Sequence, residues 1–416
     1  MYSKGSVVRT GILFSFINFA ITAGLGCLLR YHVLFPQEWL NVRFWIHAHS
    51  HVGFLGWIFT ALATLGYAVI LPDRKRLNRQ MFWLLVLAQL AVMGMLFTFP
   101  QMGYALYSIV FSTAHLVLSV VYAWWFYRYA PTSGLEVRLY KAALVFMMVS
   151  SLGPLALGPI MAFGYKETPL YDMAIYFYLH FQYNGWFTLA IFGLMVRLAK
   201  DRKLVIRKNR GKLFYRLMLY ATILTLALSA LGFGDNYYVL VVGGTGAILQ
   251  LWAGSLILDL LRDKSARLFG KSGAWVTVLM VVAIASWMFK IILQFVSALP
   301  LVTDFAYANR EAIMYYLHLT FLGFASCFIV GLLIRKNILK IDGAVSKSAL
   351  VLFLVSIMAM LLAIGLKSFP LLLNFETLRM LNWSLLSSAI GVFASILILL
   401  FVSFGHSVPE AKHLRS

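Results

Sequence analysis

A chain of 416 residues that is 62% hydrophobic and only 12% charged, with a mean hydropathy of +0.85, lacks the polar surface to cover a soluble domain of that size. Such a composition places it in a bilayer. The net charge of +21 reads as a topology signal rather than a nucleic-acid footprint, and two cysteines, Cys27 and Cys327, exclude a disulfide framework and covalent haem attachment through Cys-x-x-Cys-His.

Runs of about 20 apolar residues predict twelve membrane-spanning helices, beginning near Thr10, Arg43, Gln80, Tyr104, Leu139, Leu170, Leu217, Tyr237, Ala274, Tyr307, Ala349 and Met380. The first, from Thr10 to Leu29, is too long for a signal-peptide core and lacks a small-residue cleavage site, so it is read as a retained span. Arg74, Lys75, Arg76 and Arg79 follow the second span, and a dense basic run from Arg197 through Arg216 follows the sixth. Those sides are cytoplasmic by the positive-inside rule. The outer side then keeps only Arg30, Arg43, Lys166, Lys290, Arg310, Lys367 and Arg379, and both termini face the cytoplasm. The expected fold is all-α: a polytopic membrane protein with twelve transmembrane helices in one domain, residues 1–416, in an inner membrane if the source is bacterial.

One short pattern recurs on spans two, six and ten, about 130 residues apart. It reads His51-Val-Gly-Phe-Leu-Gly56-Trp57, then His180-Phe-Gln-Tyr-Asn-Gly185-Trp186, then His318-Leu-Thr-Phe-Leu-Gly323-Phe324. Four helices separate successive copies, so the chain reads as three quasi-repeated four-helix arcs, about 1–135, 136–270 and 271–416. Each histidine, with His115 of span four, lies eight to eleven residues from its outer helix end, roughly 12–17 Å at 1.5 Å per residue. Histidine is costly in lipid and normally faces the bundle interior with a partner, so four at one depth suggest a shared ligand. The glycine five residues on from each histidine leaves room for a flat bulky group or for close helix contact. The aromatic beside it either walls that group or packs as in any membrane helix.

Span two carries His47-Ala-His49-Ser-His51, in which His47 and His51 share a face and His49 points nearly opposite. The metal-ligand candidates are therefore His51, His180, His318, His115 and His49, set against a mildly polar helix entrance and a hydrogen-bonded structural His115. His32, His406 and His413 are bystanders. Arg310, beside Glu311 one helix face above His318, and Arg43 and Arg379 at outer helix ends suit carboxylates such as haem propionates, or serve as interfacial anchors. Lys290, in the outer third of span nine, is expected to snorkel to the interface. Gln182, Tyr183 and Asn184 offer hydrogen bonds around His180, to a ligand or between helices.

Twelve helices, termini inside, three four-helix arcs and histidines in the outer half of helices two, six and ten resemble subunit I of the haem-copper oxidase superfamily. The resemblance implies a non-covalent b-type haem bound by His51 or His47 with His318, a second metal, copper or non-haem iron, at His180, and Arg310, Gly56 and Gly323 as haem contacts. It also implies a diatomic gas as ligand, nitric oxide favoured over oxygen, and an electron donor such as a quinol or a cytochrome c. The chain departs from that family in three respects. No histidine lies between His180 and His318, helix ten has one where two are expected, and Asn184 stands where common oxygen reductases carry a cross-linked tyrosine. The inner halves of spans two, six and ten are nearly wholly apolar, so no proton route from the cytoplasm is apparent, whereas Glu38, Asp172, Asp304 and Glu311 lie outside. The chain is also similar to NnrS-like haem- and copper-containing membrane proteins in its histidine-rich second helix. A different class remains open: a transporter of protons or a metal ion, using intramembrane histidines, for which Gly153-Pro154 and Gly158-Pro159 would interrupt span five. A third is a structural or assembly partner.

Overall fold

The computed structural model describes residues 2–405 except 205, 234–236, 270–272, 301, 303–304, 306–308 and 370–372. The bystanders His406 and His413, and the acid Asp304, fall outside them. No strand occurs among the described residues. In chain order the helices are α1 (Lys4–Leu34), α2 (Val42–Val69), α3 (Lys75–Met102), α4 (Leu106–Tyr129), α5 (Leu135–Ala162), α6 (169–201), α7 (Lys208–Ala230), α8 (Tyr237–Phe269), α9 (Ala274–Ser297), α10 (Arg310–Arg335), α11 (Ala344–Lys367) and α12 (Phe375–Phe404). All but α6 are long and apolar enough to cross a bilayer, giving eleven such helices where the sequence predicts twelve apolar spans. The sixth predicted span is an unbroken helical run all the same, made polar by His180, Gln182 and Asn184 in its middle.

Many apolar side chains on these helices face outward: Leu106 is 70% exposed, Phe97 65% and Leu362 66%. Faces of that kind are stable only against hydrocarbon, and each helix satisfies its own backbone there. The chain is an integral membrane protein.

The chain forms two compact units, residues 1–126 with 329–416, and residues 127–328. In the first, α2 lies innermost: 78% of its most apolar eighteen residues are buried, against 28% for α4. It packs on α1 and α3, while α12 covers α1 and α11. In the second, α5 packs on α6, α7 on α8, and α9 on α8 and α10, whose corresponding stretch is 72% buried. The Gly-Pro pairs of α5 break it only at Ser151, and helix resumes at Leu152. Gly153 there lets α6 approach, since a Cβ would stand 2.4 Å from the Ala174 carbonyl.

The three histidine patterns share a backbone irregularity. Immediately after His51, His180 and His318 the helix widens into π geometry, over Val52–Phe59, Phe181–Phe187 and Leu319–Ser326. A π turn bonds i to i+5, is rare, and re-aims the side chains around it. A hydroxyl accompanies the inner end of each widened stretch by donating to the carbonyl five residues back: Thr60 to Leu55 at 3.0 Å, Thr188 to Tyr183 at 2.6 Å and Ser326 to Phe321 at 2.8 Å. The repeat is thus a repeat of backbone geometry.

The pattern's glycines, where their surroundings are described, are contact points for other helices. A Cβ at Gly56 would stand 2.7 Å from the Asn18 side chain of α1, and one at Gly185 2.5 Å from Phe146 Cβ of α5. The adjoining aromatics are core anchors. Trp57 stacks on Phe19 with ring centroids 4.3 Å apart, Trp186 meets Tyr140 edge-on, and Phe324 lies against Phe192 and Trp287. Gly185→Ala is therefore expected to destabilise the protein by about 1–3 kcal/mol through overpacking. Gly244→Ala, whose Cβ meets only Ala298 at 3.8 Å, is expected to be neutral or mildly stabilising. Thermal unfolding of both variants in detergent micelles checks the pair.

Candidate functional site

In the first unit the histidines of α2 divide as the helical spacing predicts. His49 turns towards α1, with its Nδ1 3.0 Å from the Thr22 carbonyl. On the opposite face, His51 Nδ1 lies 2.8 Å from the His47 carbonyl and its Nε2 3.2 Å from the Tyr104 hydroxyl. A carbonyl only accepts, so the proton sits on Nδ1 and the lone pair on Nε2, where Tyr104 donates to it. The His51 ring packs on Phe99, centroids 4.4 Å apart, and His47 packs edge-on to Tyr104 at 4.7 Å. His115 is buried, 1% exposed, against Phe59 and beside the Ser119 hydroxyl at 3.3 Å. Its Nε2 is buried and makes no hydrogen bond among the described residues.

Asn18 holds this unit's π segment. Its Nδ2 donates to the Gly56 carbonyl at 3.1 Å, and it exchanges hydrogen bonds with Gln89 of α3 at 2.7 and 3.2 Å. One carboxamide pair thereby ties α1, α2 and α3 together at the widened turn.

In the second unit His318 repeats the arrangement of His51. Its Nδ1 lies 2.8 Å from the Met314 carbonyl, again four residues back, which fixes the same tautomer. His180 differs. Its Nε2 lies 2.8 Å from the Thr222 carbonyl, so that nitrogen carries the proton, and Nδ1 accepts from Asn184 Nδ2 at 3.2 Å. Both ring nitrogens are engaged. The turns bearing His180 and His318 adjoin, since Tyr183 packs on Tyr316 with centroids 5.7 Å apart and on Phe321 at 6.4 Å.

The centre of this unit is Lys290, and the expectation that it snorkels is corrected here. The side chain is 0% exposed. Its ammonium donates to Asn184 Oδ1 and, at 3.0 Å, to Gln294 Oε1, which also accepts from the Tyr316 hydroxyl at 2.8 Å. The rings of Tyr316 and Tyr183 lie 5.4 and 5.8 Å from the nitrogen, within cation–π range. Because an ammonium only donates, it fixes the Asn184 amide with oxygen outward and nitrogen towards His180. The lysine thereby supports, through one side chain, the tautomer that the Thr222 carbonyl fixes. Among the described residues no carboxylate lies within ion-pair distance of Lys290.

Of the expected anion contacts, Arg310 is an exposed residue opening α10, and Arg379 pairs with Glu376 at 3.1 Å in an exposed position. Arg43 is exposed in the first turn of α2. Gly323 is buried within its π segment. Among the described residues, no three His, Cys, Asp or Glu side chains group closely enough to hold a metal ion. The donor set at His180 therefore offers no such group for a second metal, and a metal at His180 or at His51 would displace one of that ring's hydrogen bonds. The tautomers of His51 and His318 do fit ligation of an iron through Nε2.

Sequence reasoning passed over Asn18, Tyr104, Thr222, Gln294 and Tyr316. Asn18 and Gln294 carry a signal, each being an amide inside an apolar span, and Gln294 stands one turn from Lys290. Thr222 offers none, because it contributes a backbone carbonyl near the end of the α-helical part of α7, where 3-10 turns take over. No protein-family model matches the chain, and no curated protein matches it.

Asn184→Leu, which strands the Lys290 charge and one nitrogen of His180, is expected to cost about 3–5 kcal/mol. Lys290→Met removes the charge itself and is expected to cost less. In the Lys290→Met background the Asn184→Leu cost should shrink by about 1–3 kcal/mol. Unfolding of the four proteins in mixed micelles measures this coupling, and strict additivity would contradict the network.

Proposed function

We propose that this chain is a haem-binding integral membrane protein, in which Nε2 of His51 in the first unit and Nε2 of His318 in the second are each suited to hold an iron. The observation that carries the reading is the matched hydrogen bond from Nδ1–H of each to the carbonyl four residues back, at the start of a π segment. That bond orients the imidazole and raises its basicity as a ligand. A b-type haem held in this way supplies an iron that binds a diatomic gas or passes single electrons. Tyr104 donates to the lone pair of His51, and would have to release it for that nitrogen to hold an iron. Phe99 keeps the ring from turning.

The same reading takes 169–201 as a twelfth span, with three four-helix arcs, both termini cytoplasmic and, in a bacterium, residence in the inner membrane. Gas binding or sensing, with nitric oxide favoured, or electron carriage from a quinol or a cytochrome c, is preferred to two-molecule reduction, which needs a second metal that the His180 donor set does not accommodate.

The optical spectrum of detergent-purified protein, oxidised, reduced, and reduced with carbon monoxide, tests the proposal. A Soret band is expected, and His51→Ala and His318→Ala are each expected to lower haem content about tenfold or more, with His49→Ala and His180→Ala retaining it. Protein free of haem after expression with ample haem would sink the reading.

A second reading, proton transport, rests on the Lys290 network. A fully buried ammonium in a membrane helix marks an ion pathway by default. Here Tyr316, Gln294, Lys290, Asn184 and His180 form a continuous chain of hydrogen bonds. Proton uptake by proteoliposomes under an imposed potential is expected to fall at least about tenfold in Lys290→Met if that chain carries protons. Equal uptake by the wild type and by empty vesicles removes this reading.

A further inference from the structure

A cavity of about 220 Å³ opens in the second unit among α5, α6, α7 and α8, away from the histidines and from Lys290. Its wall is apolar, with Phe192, Met195, Phe214 and Leu256, and Arg207 and Arg210 line it as well. Both arginines are exposed. Arg210 is partly balanced by Asp259 at 3.7 Å, whereas no carboxylate among the described residues comes within ion-pair distance of Arg207. They belong to a stretch, 197–216, in which Arg197, Lys200, Arg202, Lys203, Arg207, Lys208, Arg210, Lys212 and Arg216 face one acid, Asp201. Cationic side chains beside an apolar slot are complementary to a molecule with one anionic end and one hydrocarbon end.

The helices around the slot say which molecule. On α7, Tyr220 and Ile223 are exposed, as are Trp252 and Leu258 on α8, so the outer faces of both helices are suited to lipid. The same two helices line the cavity, through Phe214 of α7 and Leu256 of α8. Guanidinium groups bind phosphate oxygens bidentately, and basic pockets between transmembrane helices favour anionic headgroups. We propose that this cavity is a binding site for one anionic phospholipid, its acyl chain in the slot and its phosphate on Arg207 and Arg210. The site is independent of haem or proton chemistry.

Native mass spectrometry of the delipidated, detergent-solubilised full chain, titrated with phosphatidylglycerol, phosphatidylcholine or glycerol phosphate, tests the assignment. One phosphatidylglycerol per chain is expected to be retained in preference to phosphatidylcholine, with no retention of glycerol phosphate. The double variant Arg207→Gln/Arg210→Gln should weaken retention about tenfold or more, from roughly one basic-residue contribution each. Leu256→Trp, which fills the slot and keeps both charges, should weaken it as well. Thermal unfolding confirms that each variant is folded. Equal retention of the two phospholipids, retention of glycerol phosphate alone, or unchanged retention in both folded variants overturns the proposal.

Discussion

Every backbone carbonyl or amide that a membrane helix fails to pair within itself has to find a partner in the protein, because hydrocarbon offers none. Three of the helices in this chain place a π-helical stretch at the same position of a repeated pattern, and much of the surrounding architecture can be understood as meeting that demand. Thr60, Thr188 and Ser326 reach back five residues to carbonyls in the widened turns, and Asn18 crosses from α1 to the carbonyl of Gly56. Gly56 is glycine because that crossing leaves no space for a Cβ. Where their surroundings are described, the glycines of the pattern thus admit a neighbouring helix, and the tryptophans after them fill the core beside the contact.

The same constraint governs Lys290. An ammonium in this environment needs its donors satisfied, and the second unit satisfies them with carbonyl oxygens and aromatic faces in place of a carboxylate. The arrangement leaves a charge neutralised only by dipoles, which is a poor way to gain stability and a suitable way to hold a proton or an electric field in place. It also reaches further than its own contacts. By fixing the Asn184 amide, the lysine presents a donor to the Nδ1 of His180, in agreement with the proton that the Thr222 carbonyl holds on Nε2.

The apolar runs located the helices because hydrocarbon matching is a local property, legible at each span from about 20 residues. The polar sixth span was equally legible as a helix, and its His180, Gln182 and Asn184 are the reason it falls short of the others in apolarity. The spacing from histidine to glycine located the π segments, but nothing in the residue types announced that the helix widens there. The hydroxyls that accompany the widening stand nine, eight and eight residues after their histidines, and Ser and Thr are common enough in membrane helices to carry no signal alone. Lys290 misled for a different reason. A single charge near a helix end has a default fate at the interface, and only the polar face of α6, 106 residues away in sequence, gives it another. Anything set by partners on other helices was hidden in this way, including the tautomer of His180.

Histidine tautomers separate three copies that look alike in sequence. His51 and His318 donate along their own helices, each to the carbonyl one turn back, a bond that any histidine in a helix can make without help from a neighbour. His180 instead donates across to α7 and accepts from Asn184, so two other groups must be in place before its ring has this orientation. The first arrangement directs a lone pair away from the helix that carries it. The second uses up both nitrogens in packing. A repeated pattern therefore yields two tautomers, with the lone pair on Nε2 in His51 and His318 and on Nδ1 in His180, the copy next to the buried lysine.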